Sequence, residues 1–168
     1  MKTYTLILSA EFPVWHSRKG DPTFFAGKSF NAISNAEATL TVDPTDDTYI
    51  DIYDRKLHTI RANYPLWKKR IAEVKRGEAC LSIRQWTGRP YYSKQTEIAR
   101  LTNKDGVGIQ RLEFVDSKLG FPRIGIVYQR KYELAMNDGL SFEDWENWFK
   151  NYDLTQPMAI IHFTKFRY

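Results

Sequence analysis

Hydrophobic and polar positions fall into short alternating runs separated by Pro, Gly and Asp, with two stretches of helical period. Thr3 to Ser9 is rich in β-branched and aliphatic residues and predicts an opening strand. Glu11 to Phe30 carries Pro13, Gly20, Pro22 and Gly27 as breakers, which predict a long irregular segment. Its Phe12, Trp15, Phe24 and Phe25 are too many rings for a free linker, so packing on the core or around a pocket rim is expected. His16 reads as a hydrogen-bonded structural residue. Ala36 to Val42 and Thr48 to Tyr53 flank the turn Asp43-Pro44-Thr45-Asp46-Asp47 and suggest a hairpin.

Leu57 to Arg61 predicts a short strand entered from a charged turn. In Pro65 to Arg76, Trp67, Ile71 and Val74 recur at helical spacing. Asn63 or Tyr64 suits the cap, Pro65 the first turn and Gly77 the exit. Glu78 to Trp86 predicts a strand, Thr87-Gly88-Arg89-Pro90 a turn, and Tyr91 to Leu101 the returning strand. Gly106-Val107-Gly108 lacks the setting of a dinucleotide loop and reads as a turn into a strand over Ile109 to Val115. Arg123 to Arg130 predicts a further strand. Ser141-Phe142-Glu143-Asp144 has capping-box spacing, with Leu140 and Trp145 placed as a hydrophobic staple, and starts a helix running to about Asn151. Met158 to Phe166 closes the chain as a last strand, with His162 sharing a face with Ile160 and Phe166.

Candidate chemistry concentrates at Lys56, His58, Thr59 and Arg61. Strand alternation puts Leu57, Thr59 and Arg61 on one face, with His58 and Ile60 on the other. A hydroxyl and a guanidinium then share one space, and Lys56, one residue ahead of the strand, can turn its ammonium to the same side. The outcome is either a small polar pocket with a fixed positive charge or an amphipathic edge strand whose Thr and Arg face water.

Charge sharpens this picture. The net charge is +5, yet Arg55 to Arg111 holds 14 Lys or Arg against 4 Asp or Glu, while the rest holds 11 against 16. The basic part is also the part that carries Lys56 to Arg61, which favours a polyanionic or phosphate-bearing partner. Lys68, Lys69, Lys75 and Arg76 lie off the apolar stripe of the first helix. Arg84 and Trp86 on the following strand, with Arg89, Tyr91, Tyr92 and Lys94 around its turn, mix cations with aromatic faces as base stacking requires.

The 168 residues, 42% hydrophobic and 15% aromatic, suit one globular domain. Cys80 is the only cysteine, which excludes an internal disulfide and a cysteine-based zinc site; it reads as a small buried hydrophobe. The Asp43 to Asp47 cluster lacks the spacing of a calcium loop, so no metal and no cofactor are expected. No apolar run approaches the roughly 20 residues that span a bilayer, and Met1 to Ala10 is too short and polar for a signal peptide. A cytoplasmic protein without a membrane partner is expected. No Ser-His-Asp order, paired-histidine metal motif or phosphate loop occurs.

Lys56-x-x-Thr59-x-Arg61, in the setting Arg55-Lys56-Leu57-His58-Thr59-Ile60-Arg61, resembles the signature of the ASCH domain family, and the likeness extends over about residues 55–168. Asp54 stands where that family usually has Gly before the basic pair. The resemblance implies an α+β fold, a PUA-like mixed β-barrel of about five to seven strands with two or three flanking helices. It implies one domain over 1–168, with 1–54 as an N-terminal extension packed on the barrel. RNA or a nucleotide is the implied ligand, with Arg61, His58, Arg84, Trp86, Arg89, Tyr91, Lys68 and Lys69 as binding residues. The alternative is an amidohydrolase that deacylates a modified nucleoside such as acetylcytidine. In that reading Lys56 is the base, Thr59 is the nucleophile or orients a water, and Arg61 stabilises the oxyanion. Asp138, where such members carry Glu, shuttles a proton or holds the substrate amine. A second alternative is a modified-base DNA reader.

Overall fold

The computed structural model describes residues 1–35, 55–115 and 120–168. The hairpin expected from Ala36 to Tyr53, with its Asp43 to Asp47 turn, lies outside the described residues.

The opening strand, β1 (Lys2–Leu8), buries Leu6 and Leu8 and runs parallel to β3 (Ala79–Trp86). β3 in turn pairs antiparallel with β4 (Gln95–Leu101). A parallel neighbour needs a crossover, and the segment between β1 and β3 supplies it. That segment includes α1 (Phe25–Ser34), β2 (His58–Arg61) and α2 (Tyr64–Lys75). β1 is therefore a strand of the sheet itself rather than a wrapping laid over it.

The second sheet has the order β2-β8-β5-β6-β7, with every neighbouring pair antiparallel. It is made with β5 (Gly108–Val115), β6 (Phe121–Ile124), β7 (Val127–Tyr128) and β8 (Met158–His162). α3 (Lys131–Asn137) and α4 (Phe142–Phe149) lie between β7 and β8 in the chain.

The architecture is α+β. The expected closed barrel is not formed: the described strands make one sheet of three and one of five. β1 and β4 are the edges of the first sheet and β2 and β7 those of the second, and β7, only two residues long, offers little backbone for further pairing. Eight strands and four helices occur among the described residues, more of each than expected.

Four local expectations are corrected. Residues 25–30, expected within an irregular segment, belong to α1, whose Phe25, Ser29 and Ala32 are buried. Arg123 to Arg130, expected as one strand, is a hairpin, because Gly125 at φ 61° turns the chain between β6 and β7. α3 was not foreseen. The last strand stops at His162 instead of Phe166, and the strand after the Thr87 turn begins only at Gln95.

α2 follows its pattern, with Trp67, Ile71 and Val74 buried. The Asn63 side chain accepts from Leu66 N at 3.2 Å to cap the helix, and Gly77 at φ 77° ends it. In α4 the Ser141 hydroxyl accepts from Asp144 N at 3.1 Å, while the Asp144 carboxylate turns outward to Arg18 at 2.7 Å. Trp145, Trp148 and Phe149 of α4 enter the core. His16 is buried beneath them: Nε2 donates to the Asp144 carbonyl at 3.0 Å, and Nδ1 accepts from Arg18 N at 3.0 Å.

Candidate functional site

The segment entering β2 is fixed by backbone bonds to three distant parts of the chain. Lys56 N donates to Lys28 O of α1, Leu57 N donates to Asn137 O of α3, and Leu57 O accepts from Phe163 N. These bonds sink Lys56 completely, so that a full-length lysine side chain is 1% exposed. Such burial costs a great deal unless the charge is paired.

The partner is Asp138, which caps the end of α3. The Lys56 ammonium donates to both the Asp138 carboxylate and its carbonyl, each at 2.5 Å. It also lies 4.0 Å from the centre of the Phe25 ring. Gly139 makes this approach possible. It sits at φ 79°, and a Cβ there would meet Lys56 Cβ at 3.1 Å.

Burial dominates the ionisation of both groups. It pulls the Lys56 ammonium from 10.5 down to about 8, although the Asp138 carboxylate opposes the change. It pushes the Asp138 carboxyl above its ordinary 3.8, with Lys56 pulling the other way.

Thr59 and Arg61 line the same small cavity as Lys56 and Asp138, together with Ser9 and Phe25. The side expected to be shared by Thr59 and Arg61 thus faces inward, and Arg61 Nη2 donates to Ile7 O of β1 at 2.5 Å. The free space is about 10 Å³, room for one water.

His58 stands behind this centre. Its Nδ1 is 3.9 Å from the Asp138 carboxylate, too far for a direct hydrogen bond. Its Nε2 lies 2.7 Å from the Tyr168 hydroxyl, which also accepts from Asn137 Nδ2 at 3.0 Å. Burial holds His58 well below its ordinary 6.5, so the ring is neutral at pH 7. We assign the Tyr168 proton to the bond with His58 Nε2, which leaves the imidazole proton on Nδ1, facing Asp138. The His162 ring pairs with His58 across β2 and β8, with centroids 5.6 Å apart, and neither of its nitrogens has a hydrogen-bond partner among the described residues.

The remaining binding candidates lie elsewhere. Trp86 and Tyr91 rings are 5.5 Å apart, and the Arg89 guanidinium lies 4.4 Å from the Tyr92 ring centre. Tyr91 is 87% and Tyr92 78% exposed, and Tyr91 is held at φ 68°. This tip extends the end of the sheet that borders the cavity, since Gln85 pairs with Leu8 and donates to Ser9 O at 3.3 Å. Arg84 is half-buried and 3.9 Å from Glu97, away from the tip. Lys68 and Lys69 are exposed on α2.

Lys56, Thr59, Arg61 and Asp138 are therefore brought together; His58 backs them, and the hairpin and the α2 lysines form separate surfaces. Sequence reasoning missed Tyr168 and Asn137, whereas Phe25, expected among the rings packed on the core or around a pocket rim, does line the cavity. Periodicity carries no sign of these two, which reach the site through side-chain bonds.

Among the described residues no group of three His, Cys, Asp or Glu is placed to hold a metal, and no helix is long and apolar enough to cross a membrane. Comparison with protein-family models, with curated proteins and with solved structures gives no match.

Proposed function

We propose that this chain is an ASCH-like, PUA-related domain that binds single-stranded RNA or a nucleotide through the β3–β4 hairpin. The observation that carries the reading is the solvent-exposed grouping of Trp86, Arg89, Tyr91 and Tyr92 at the end of the sheet that borders the Lys56 centre. Aromatic faces stack on any base, and the guanidinium adds attraction to the backbone. A large exposed ring on a residue at positive φ costs stability without filling the core, which is the usual mark of a functional loop. Titration of fluorescent single-stranded RNA at rising salt tests the reading. Binding that weakens with salt and is lost in the Arg89→Ala/Tyr91→Ala double variant supports it, whereas an affinity flat in salt for every RNA refutes it.

Deacylation of a modified nucleoside such as acetylcytidine is the second reading, favoured by the Asp138 carboxylate on Lys56 beside Thr59 and Arg61. Having passed its ammonium proton to Asp138, neutral Lys56 would take the proton from Thr59, or from a water Thr59 orients, as that oxygen attacks the acyl carbon; where Thr59 itself attacks, a water then hydrolyses the acyl-threonine. Arg61 would face the developing oxyanion, and Asp138 would return a proton to the departing amine. The roughly 10 Å³ cavity ranks this second, since an acylated base needs the centre to open. The same lack of room weighs against a flipped-base DNA reader. Incubation with acetylcytidine, followed by mass spectrometry, tests it: release of acetate by the wild type and not by a folded Lys56→Ala protein supports the reading, and equal release refutes the role of Lys56.

A further inference from the structure

Beside the Lys56 centre lies a much larger cleft, of about 410 Å³. The early loop, the start of α1, α3 and the start of α4 form its walls. Its size falls within the roughly 300–1,000 Å³ typical of small-molecule sites.

Three rings line the cleft yet keep much of their surface in solvent: Phe24 at 65% exposed, Tyr132 at 50% and Phe142 at 39%. Phe24 adopts φ 58° just ahead of α1, a left-handed conformation that a bulky residue takes only under constraint. That conformation sets a large apolar ring on the wall of an open cleft, so packing into the core does not account for it.

The polar groups of the cleft are fixed in place. Arg18 donates to Asp144 at 2.7 Å and to Asp21 at 3.2 Å, while its Nη2 has no hydrogen-bond partner among the described residues. Ser141 accepts from Asp144 N, which leaves its hydroxyl proton to be donated. Lys28 is held at 2.9 Å against Gly139 O. Arg18 is balanced by Asp144 and by Asp21 alongside, so the cleft does not demand a highly charged ligand. Exposed rings with anchored donors and a carboxylate suit a flat heteroaromatic ring that carries both donors and acceptors.

We propose that this cleft binds a free nucleoside or nucleoside monophosphate, with the base against Phe24 and Tyr132 and its polar edge at Arg18 and Ser141. One residue separates it from the buried centre. Gly139 touches Lys28 on the cleft side and Lys56 on the other, and Leu140 lines both cavities. A ligand in the cleft therefore lies against the loop that carries Asp138.

Isothermal titration and ligand-observed NMR with the four common nucleosides, their monophosphates and inorganic phosphate alone test the proposal. At least one nucleoside or monophosphate binds while phosphate alone does not. Phe24→Ala and Tyr132→Ala each weaken binding by about fivefold or more, the low end for loss of a stacked ring, with the melting temperature within a few degrees of wild type. Failure of every nucleoside and monophosphate to bind at millimolar concentration overturns the proposal. So does binding that both ring variants leave intact, or that inorganic phosphate reproduces.

Discussion

Lys56 Nζ and the Asp138 carboxylate, 82 residues apart in sequence, meet at 2.5 Å in an interior where each is almost wholly removed from water. Their attraction is set against the desolvation of both ions, so the pair is worth little net stability while either half alone is costly. Lys56→Met and Asp138→Leu are each expected to lower the unfolding free energy by about 3–5 kcal/mol. The double variant Lys56→Met/Asp138→Leu should recover most of that loss. Urea denaturation of the four proteins checks the cycle, and strictly additive losses would show that the two groups do not act as a pair.

Lys56 should titrate near 8 rather than near 10.5. Its folded value lies below its unfolded value, so between these limits the unfolded chain holds a proton that the folded chain has released. Stability attributable to this residue therefore rises with pH from about 8 to 10.5 and is lowest when the ammonium is charged. Lysine side-chain NMR measures the titration directly; a Lys56 signal that moves only above pH 10 contradicts the burial argument.

His162 gives the opposite edge. Burial lowers it from 6.5 to about 3, aided by the charge of Arg167. The unfolded chain takes up a proton below 6.5 that the folded chain refuses until about 3, so stability falls as pH falls through that window. His58 acts in the same direction. With both His162 nitrogens unpartnered, His162→Leu should cost less than about 1 kcal/mol at pH 7, or stabilise, and should flatten the acid side of the profile. Thermal melts from pH 4 to 8 decide this, and a large loss at pH 7 would reveal a partner such as a buried water.

At the hairpin, Tyr91→Ala or Tyr92→Ala should weaken single-stranded RNA binding by about 1–3 kcal/mol with no change in the salt slope. Arg89→Ala should lower that slope by about 0.7 if the guanidinium meets one phosphate. Fluorescence anisotropy at several salt concentrations separates the two effects. Equal changes in slope for Tyr and Arg variants would mean that the rings do not stack.

Elements with a long, clean pattern were legible in the sequence. α2 shows Trp67, Ile71 and Val74 on one stripe with a cap and an exit glycine, and β3 and β5 lie within a residue or two of their expected limits. α4 was marked by Ser141 and its tryptophans. α3 was not legible, because a seven-residue helix burying only Leu134 and Ala135 leaves too little periodicity. The hairpin of β6 and β7 looked like a single strand because Ile124, Ile126 and Tyr128 alternate as one strand would, and only the φ of Gly125 reveals the turn. Barrel closure depends on which edges pair, and that information is not in any one segment. At the site, alternation put Thr59 and Arg61 on one side, and they do line one cavity. It could not tell that β2, although at the edge of its sheet, has His58, Thr59 and Ile60 all buried, because other parts of the chain cover it.

The sealing of the Lys56–Asp138 pair has a practical consequence. Dissolved ions weaken charges that water reaches and leave enclosed ones nearly untouched. Ionic strength therefore acts as a dial on the hairpin and the α2 lysines, while acidity acts as a separate dial on the interior. A binding partner that responds to the first and ignores the second is held outside; one that responds to the second has reached Lys56.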